Sequence, residues 1–254
     1  MLESTFIFLK GIGEATEQRL WEQGIDTWSA FLAHPSIPSI SPARKNLYDH
    51  DLEQAVQNLS ARNSKFFARL LKARDHWRLF QTFRSKIAFL DIETNGDPPE
   101  TGEITLVGIY GNGTMTTLIQ GESLNENRLN HELSKYDLLV TFFGSGFDLP
   151  YIRYKFPRVL LDHAHFDLCF AARRLGYKGG LKHIELECGL SRSRHVAGLT
   201  GWDAVNLWHA WQGGDSQAGT QLLQYNEADV KNLEPLAELL YDKLVRHYGL
   251  ERKL

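Results

Sequence analysis

Residues 89–96 read FLDIETNG, and the acids Asp91 and Glu93 sit directly behind the apolar run Ile87-Ala88-Phe89-Leu90. A short run of this kind, closed by polar residues and a glycine, is the pattern of a strand buried on both faces. Side chains alternate along a strand, so Asp91 and Glu93 project from one face and Ile92 from the other. Two like charges converging at a strand end repel each other and lose hydration. The chain must cover this strand above and below, and must bring something positive to the pair.

Two later segments add acids of the same character. In FFGSGFDLPYI (142–152), Asp148 follows a glycine-punctuated turn; in QYNEADVKNLEPLAELL (224–240), Tyr225 and Asp229 lie four apart on a helical pattern and share a face. Leu222, Val230, Leu233, Leu236, Ala237 and Leu240 supply that helix's buried side. Four acids from three segments, Asp91, Glu93, Asp148 and Asp229, can hold two hard divalent cations, since Mg²⁺ prefers oxygen ligands and keeps several waters. Two such ions about 4 Å apart clamp the attacking and leaving oxygens of an in-line phosphoryl displacement. Each segment also has a plainer explanation. A strand-end Asp-x-Glu can be a solvated loop start, Asp148 can cap a helix over 149–155, and Tyr225 and Asp229 can be ordinary helix-surface residues. Asp167, in HFDLCF, reads as a helix cap or a support for the site. His163 and His165 alternate on an extended segment and could ligate a metal.

KIAFLDIET, EITLVGIYG and TMTTLIQ predict three consecutive strands turned at Asn95-Gly96 and Gly111-Asn112-Gly113. A helix near 124–134 and a fourth strand, DLLVTFF, follow. Beyond Asp148 the chain is mostly helical and ends in a long helix from about 218 to 247. This order predicts an α/β fold, a mixed sheet flanked by helices over 85–254, preceded by a small all-helical domain over 1–84. Cys169 and Cys188 lack metal-type spacing and read as free thiols of a reducing cytosol. With no long apolar run and no secretion-type start, a cytoplasmic protein without membrane contact is expected.

The net charge of −3 hides an uneven distribution. Between Ser60 and Lys86 eight bases face one acid, Asp75; from Ile87 onward 16 bases face 22 acids. A basic belt beside an acidic region suits a polyanion held by the one and processed at the other. LKGIGEATEQRLWEQGI resembles a helix-hairpin-helix motif, with helix, glycine turn, helix, turn and helix expected over 5–33. Its turn would be Lys10-Gly11-Ile12-Gly13, whose glycines let a phosphate approach backbone N–H groups at the next helix start. A plain helix C-cap glycine explains the same residues. Across 61–83 a single helix would align Arg62, Lys65, Arg69, Lys72 and His76 on one stripe, opposite Phe66, Phe67, Leu70, Leu71 and Trp77. The stripe is either a phosphate-binding face or a solvated one.

Asp-x-Glu on a first strand, then Phe-Asp-x-Pro-Tyr, then Tyr-x-x-x-Asp on a late helix resembles the DEDD 3′–5′ exonucleases of the ribonuclease H-like superfamily. The tyrosine in the third motif is similar to the DEDDy branch, and HFDLCFAARRL, GLKHIE and YNEADVKNLEPLAELL look closest to the YprB-type predicted exonucleases. The resemblance spans about 86–243. It implies that Asp91 bridges two Mg²⁺ or Mn²⁺ ions, that Glu93 and Asp229 complete the nucleophile-side ion, and that Asp148 holds the second. Tyr225 would orient the attacking water. One position departs from the family pattern: Phe143 stands where such motifs carry asparagine. The expectation is a metal-dependent exonuclease on nucleic acid, DNA favoured slightly over RNA. The alternatives are a nucleic-acid-binding protein on an inactive nuclease fold and a phosphoesterase of small nucleotides.

Overall fold

The computed structural model describes residues 1–249; residues 250–254, the end of the expected second domain, lie outside the described residues. Five strands, β1 (Ile87–Thr94), β2 (Ile104–Gly111), β3 (Thr114–Ile119), β4 (Leu138–Thr141) and β5 (Ala164–Asp167), form one sheet in the order β3-β2-β1-β4-β5. The first three make an antiparallel meander, and β1, β4 and β5 run parallel. The β2–β3 hairpin turns on Asn112 (φ 52°) and Gly113 (φ 75°), the paired left-handed conformation that two-residue hairpins demand. The sheet is thus mixed, as expected, with β5 an addition to the predicted strands. At four residues it is too short for its alternation of buried Ala164 and Phe166 with His165 and Asp167 to stand out.

The alternation of β1 sorts its side chains between two cores. Ala88, Leu90 and Ile92 pack with α5 (Glu126–Leu133) and α6 (Asp148–Lys155) on one face. Ile87 and Phe89 face the other way, against Val230, Leu233 and Leu240 of the long helix α10 (Ser216–Tyr248). Asp91 and Glu93 continue the Phe89 parity and so point toward α10. Helices α7 (Leu168–Arg174), α8 (Leu181–Glu187) and α9 (Gly201–Gln212) complete this side.

The front of the chain holds α1 (Glu14–Glu22), α2 (Trp28–Ala33), α3 (Pro42–Ser60) and α4 (Ser64–Leu70). Its Leu2, Phe6, Trp28 and Phe67 join the same apolar cluster as Phe89, Val140 and Leu240. Two expectations fail here. No helix precedes the Gly11 turn, only a single 3₁₀ turn at Leu2–Ser4. The N–H groups of Phe6 and Ile7 donate to the buried Glu17 carboxylate at 2.6 and 3.2 Å, and the Trp21 and Trp28 indoles take the carbonyls of Ser4 and Thr5. Those tertiary bonds replace the ladder of the expected first helix.

The expected helix over 61–83 is also broken. It becomes α4 and a 3₁₀ segment, Ala73–Leu79, with Leu71 and Lys72 extended between them. Buried His76 donates from Nε2 to the carbonyls of Ala68 and Leu71 (3.0 and 3.3 Å), two acceptors a continuous helix would need for itself, while its Nδ1 accepts from the His165 N–H. Arg62 sits in a left-handed turn at φ 54°, outside any helix, and Lys65 pairs with Asp162 at 2.8 Å. The single basic stripe therefore does not exist, although Arg69 and Lys72 remain exposed.

Candidate active site

Asp91, Glu93 and Asp229 meet, each offering an oxygen within 4.8 Å of the others. β1 delivers the first two on one face, and α10 brings Asp229 over them because its buried stripe (Leu222, Tyr225, Asn226, Asp229, Val230, Leu233) continues unbroken past the strand end. Close approach depends on Gly108, opposite Asp91 in the β1–β2 register. A Cβ there would stand 2.2 Å from Asn226 Oδ1 and 2.7 Å from Val230 Cγ2. The room so left lets Asn226 donate to Asp91 Oδ2 at 3.3 Å.

Asp148 and Tyr225 line the same cleft of about 670 Å³, with Phe143, Phe147, Arg173 and Trp202 around its mouth. Asp148 stands outside the three-acid set. It opens α6 as the first helical residue, with Phe147 in the cap position, and its Oδ1 accepts the Ile92 N–H of β1 at 3.1 Å. That bond spans two elements and replaces the capping role considered from the sequence. Asp167 does cap, accepting from the Cys169 N–H at the start of α7. His163 bonds to the Leu133 carbonyl of α5 and His165 to the Thr141 hydroxyl of β4, and neither belongs to the three-acid set.

The electrostatics follow from burial. Asp91 opens to the cleft yet lies deep among protein atoms; desolvation, then the charges of Asp148, Glu93 and Asp229, push its carboxyl well above the usual range. Glu93 is driven up by burial and then by Asp229, and burial lifts Asp148 to about 7. Burial, then the charges of Asp229, Glu93 and Asp91, also raise the Tyr225 phenol. Glu93 Oε1 is buried without a hydrogen-bond partner. Hard oxygens only, one of them unpartnered, fit a small divalent cation.

The positive partner that the paired acids require is in part supplied by the chain. Arg192 bonds to Asp229 and forks onto Glu185 at 2.6 and 2.7 Å. Burial works against its charge, but the bonds to Glu185 and the charges of Asp229 and Glu185 outweigh that. Lys182, in α8, donates to the Tyr225 hydroxyl at 2.7 Å. Neither base, nor Glu185, was singled out from sequence. All three come from 181–192, where no periodicity marks a site; Asn226, three residues before Asp229 on the same helix face, was not marked either.

The family model for the RNase H superfamily matches residues 88–241, more than half of the chain and all of the sheet but its first residue, together with the site. The chain belongs to the RNase H superfamily. Among solved structures, a family B DNA polymerase from the hyperthermophilic archaeon Pyrobaculum calidifontis superposes with a TM-score of 0.51 at 16% identity, covering 61% of this chain and 24% of the polymerase. This chain therefore corresponds to about a quarter of that protein's length. A second structure, described as the apo form of a nuclease, gives a TM-score of 0.49 at 19% identity over 72% of this chain and 82% of its own. Only the first is similar enough to bear on the fold. No curated protein matches the sequence. Among the described residues no helix is long and apolar enough to cross a membrane.

Proposed function

We propose that this RNase H superfamily protein is a metal-dependent 3′–5′ exonuclease of the DEDDy type, removing terminal nucleotides from nucleic acid, DNA slightly favoured over RNA. The observation that carries this reading is the meeting of Asp91, Glu93 and Asp229 in a cleft also lined by Asp148 and Tyr225. Asp91 would be shared by two divalent ions, Mg²⁺ or Mn²⁺, with Glu93 and Asp229 serving one and Asp148 the other. When bound, such ions supply charge neutralisation at the scissile phosphate and a more acidic water.

The protein's own groups do the positioning. Asn226 steadies Asp91, and the Ile92 N–H steadies Asp148. Tyr225 stays a neutral phenol, because burial and the neighbouring acids oppose its ionisation. It therefore orients the attacking water rather than taking its proton. Residues 1–84 serve as the nucleic-acid-holding part and 85–254 as the catalytic part. Lys10, Gly11, Gly13, Arg62, Lys65, Arg69 and Lys72 are the proposed phosphate contacts, acting as scattered bases and turn N–H groups rather than as one stripe.

One observation favours a second reading. Arg192 already engages Asp229, a ligand the ions would need. A protein in which it stays there binds nucleic acid and does not cut it. Incubation with Mg²⁺ or Mn²⁺ and end-labelled single- and double-stranded DNA and RNA decides. Stepwise shortening from the 3′ end supports the exonuclease. Intact substrate with retained binding supports the second reading. Cleavage of small phosphodiesters alone removes both.

A further inference from the structure

The residue that departs from the family pattern also has the strangest backbone. Phe143, between β4 and α6, sits at φ 64° in the left-handed region, where a bulky side chain is a genuine outlier. Such strain persists only where the surroundings impose it. Here Asp167 imposes it: its carboxylate accepts the N–H groups of Phe143 (2.9 Å) and Ser145 (3.1 Å) and the Ser145 hydroxyl (2.6 Å). Gly146 completes the seat, because a Cβ on it would lie 2.5 Å from the Phe143 ring. The loop is built to hold an aromatic ring in one place, yet that ring is 41% exposed. Packing of the core does not account for it.

The neighbours extend the surface. Phe170, 46% exposed, places its ring centroid 6.1 Å from that of Phe143 at 36°. The Arg173 guanidinium lies over both rings, 5.9 and 5.5 Å from their centroids. Arg173 is exposed and makes no ion pair among the described residues. It also joins two hollows, lining both the carboxylate cleft and a second cavity of about 450 Å³ bounded by Arg74, Trp77, Phe170 and Arg174. A path thus leads from the acids, past two exposed rings and an unpaired cation, into a hollow between the front segment and α7.

We propose that Phe143, Phe170 and Arg173 form a stacking platform for unpaired bases of a single-stranded nucleic acid whose backbone runs from the carboxylate cleft into the second cavity. This rests on the nuclease reading and names its substrate class. Every base has a π-face, so such a platform tolerates any sequence, while the Arg173 cation complements both the rings and the phosphate charge. Duplex bases are already stacked and present no free face. A strand end must be open to use the site.

The test uses single-stranded DNA and RNA oligonucleotides carrying 2-aminopurine near the 3′ end, with chelator present to prevent hydrolysis. Stacking quenches this base. The wild-type protein is expected to quench it; Phe143→Leu and Phe170→Leu each lose most of the quenching and bind single strands about ten-fold more weakly. Phe143→Tyr keeps both properties, and Arg173→Gln weakens binding in the same direction. Affinity for a blunt duplex changes less than two-fold. Leucine variants that fold, quench and bind as the wild type does overturn the platform, as does an equal loss of duplex binding. Should Phe143→Leu fail to fold, Phe170→Leu and Phe143→Tyr carry the test. Hydrolysis by the wild type is scored separately with Mn²⁺. Quenching lost in the variants without any wild-type hydrolysis sinks the nuclease reading and keeps the platform; hydrolysis with unchanged quenching does the opposite.

Discussion

Asp91 occupies a position where a negative charge is costly, because burial and three neighbouring acids all oppose it and Arg192 offsets them only in part. Replacing it with asparagine removes one repelling charge at nearly constant shape. In chelator, Asp91→Asn is expected to melt a few degrees higher than wild type, about 1 kcal/mol of relief corresponding to roughly 2–4 °C in a chain of this size. Hydrolysis should vanish while nucleic-acid binding stays, the usual exchange of function for stability at a site of converging charge. A lower melting temperature would make Asp91 a structural residue instead. Tyr225 gives a different signature. Its hydroxyl accepts from Lys182 at the cleft wall and hydrogen-bonds to the Asp229 carboxylate, so Tyr225→Phe removes positioning contacts while every carboxylate stays in place. Turnover should fall about 10- to 100-fold, the scale of a lost orienting group, with metal affinity unchanged. An unaltered single-turnover rate would take Tyr225 out of the reaction.

At the scale of elements, the site exists because α10 lies close across β1 and β2, and Gly108 sets that distance. Gly108→Ala drives a methyl group into Asn226 and Val230, both wholly buried. Overpacking of this kind costs about 1–3 kcal/mol. The clash is relieved when the Asn226 amide or the helix itself moves away from Asp91, so the expected result is a melting temperature several degrees lower together with weaker Mn²⁺ binding by titration. A destabilised variant with full metal affinity would separate α10 placement from the site. Gly108 was not marked in the sequence, whereas Asp91, Glu93 and Asp229 were, and the difference is physical. The acids follow from strand and helix periodicity, which are local. A glycine's purpose lies in what packs over it, and Asn226 is more than a hundred residues away. The two failed helices share this cause. The Glu17 carboxylate took the N–H groups of Phe6 and Ile7, and His76 took the carbonyls of Ala68 and Leu71; both are tertiary bonds that a pattern of apolar residues does not reveal.

For the molecule as a whole, three raised carboxyls make stability depend on pH with a sign opposite to that of ordinary ion-paired acids. Burial, the leading cause for Asp91, Glu93 and Asp148, keeps more protons on the folded chain than on the unfolded one. Their contribution is fully present below the unfolded carboxyl range, and it drains away as pH rises through the folded values, which for Asp148 means from near 3.8 to about 7. Burial raises Glu17 as well, against the pull of its Arg78 partner, and adds to the same trend. Melting in chelator should therefore fall between about pH 5 and 8. A divalent ion that binds only the folded state stabilises by mass action, and it competes with protons for the same oxygens. The gap between melting curves with Mn²⁺ and with chelator should then widen steadily as pH rises. A gap independent of pH across that range would mean that Arg192 and Lys182 already neutralise the acids, and that the site is closed by its own side chains rather than kept open for ions.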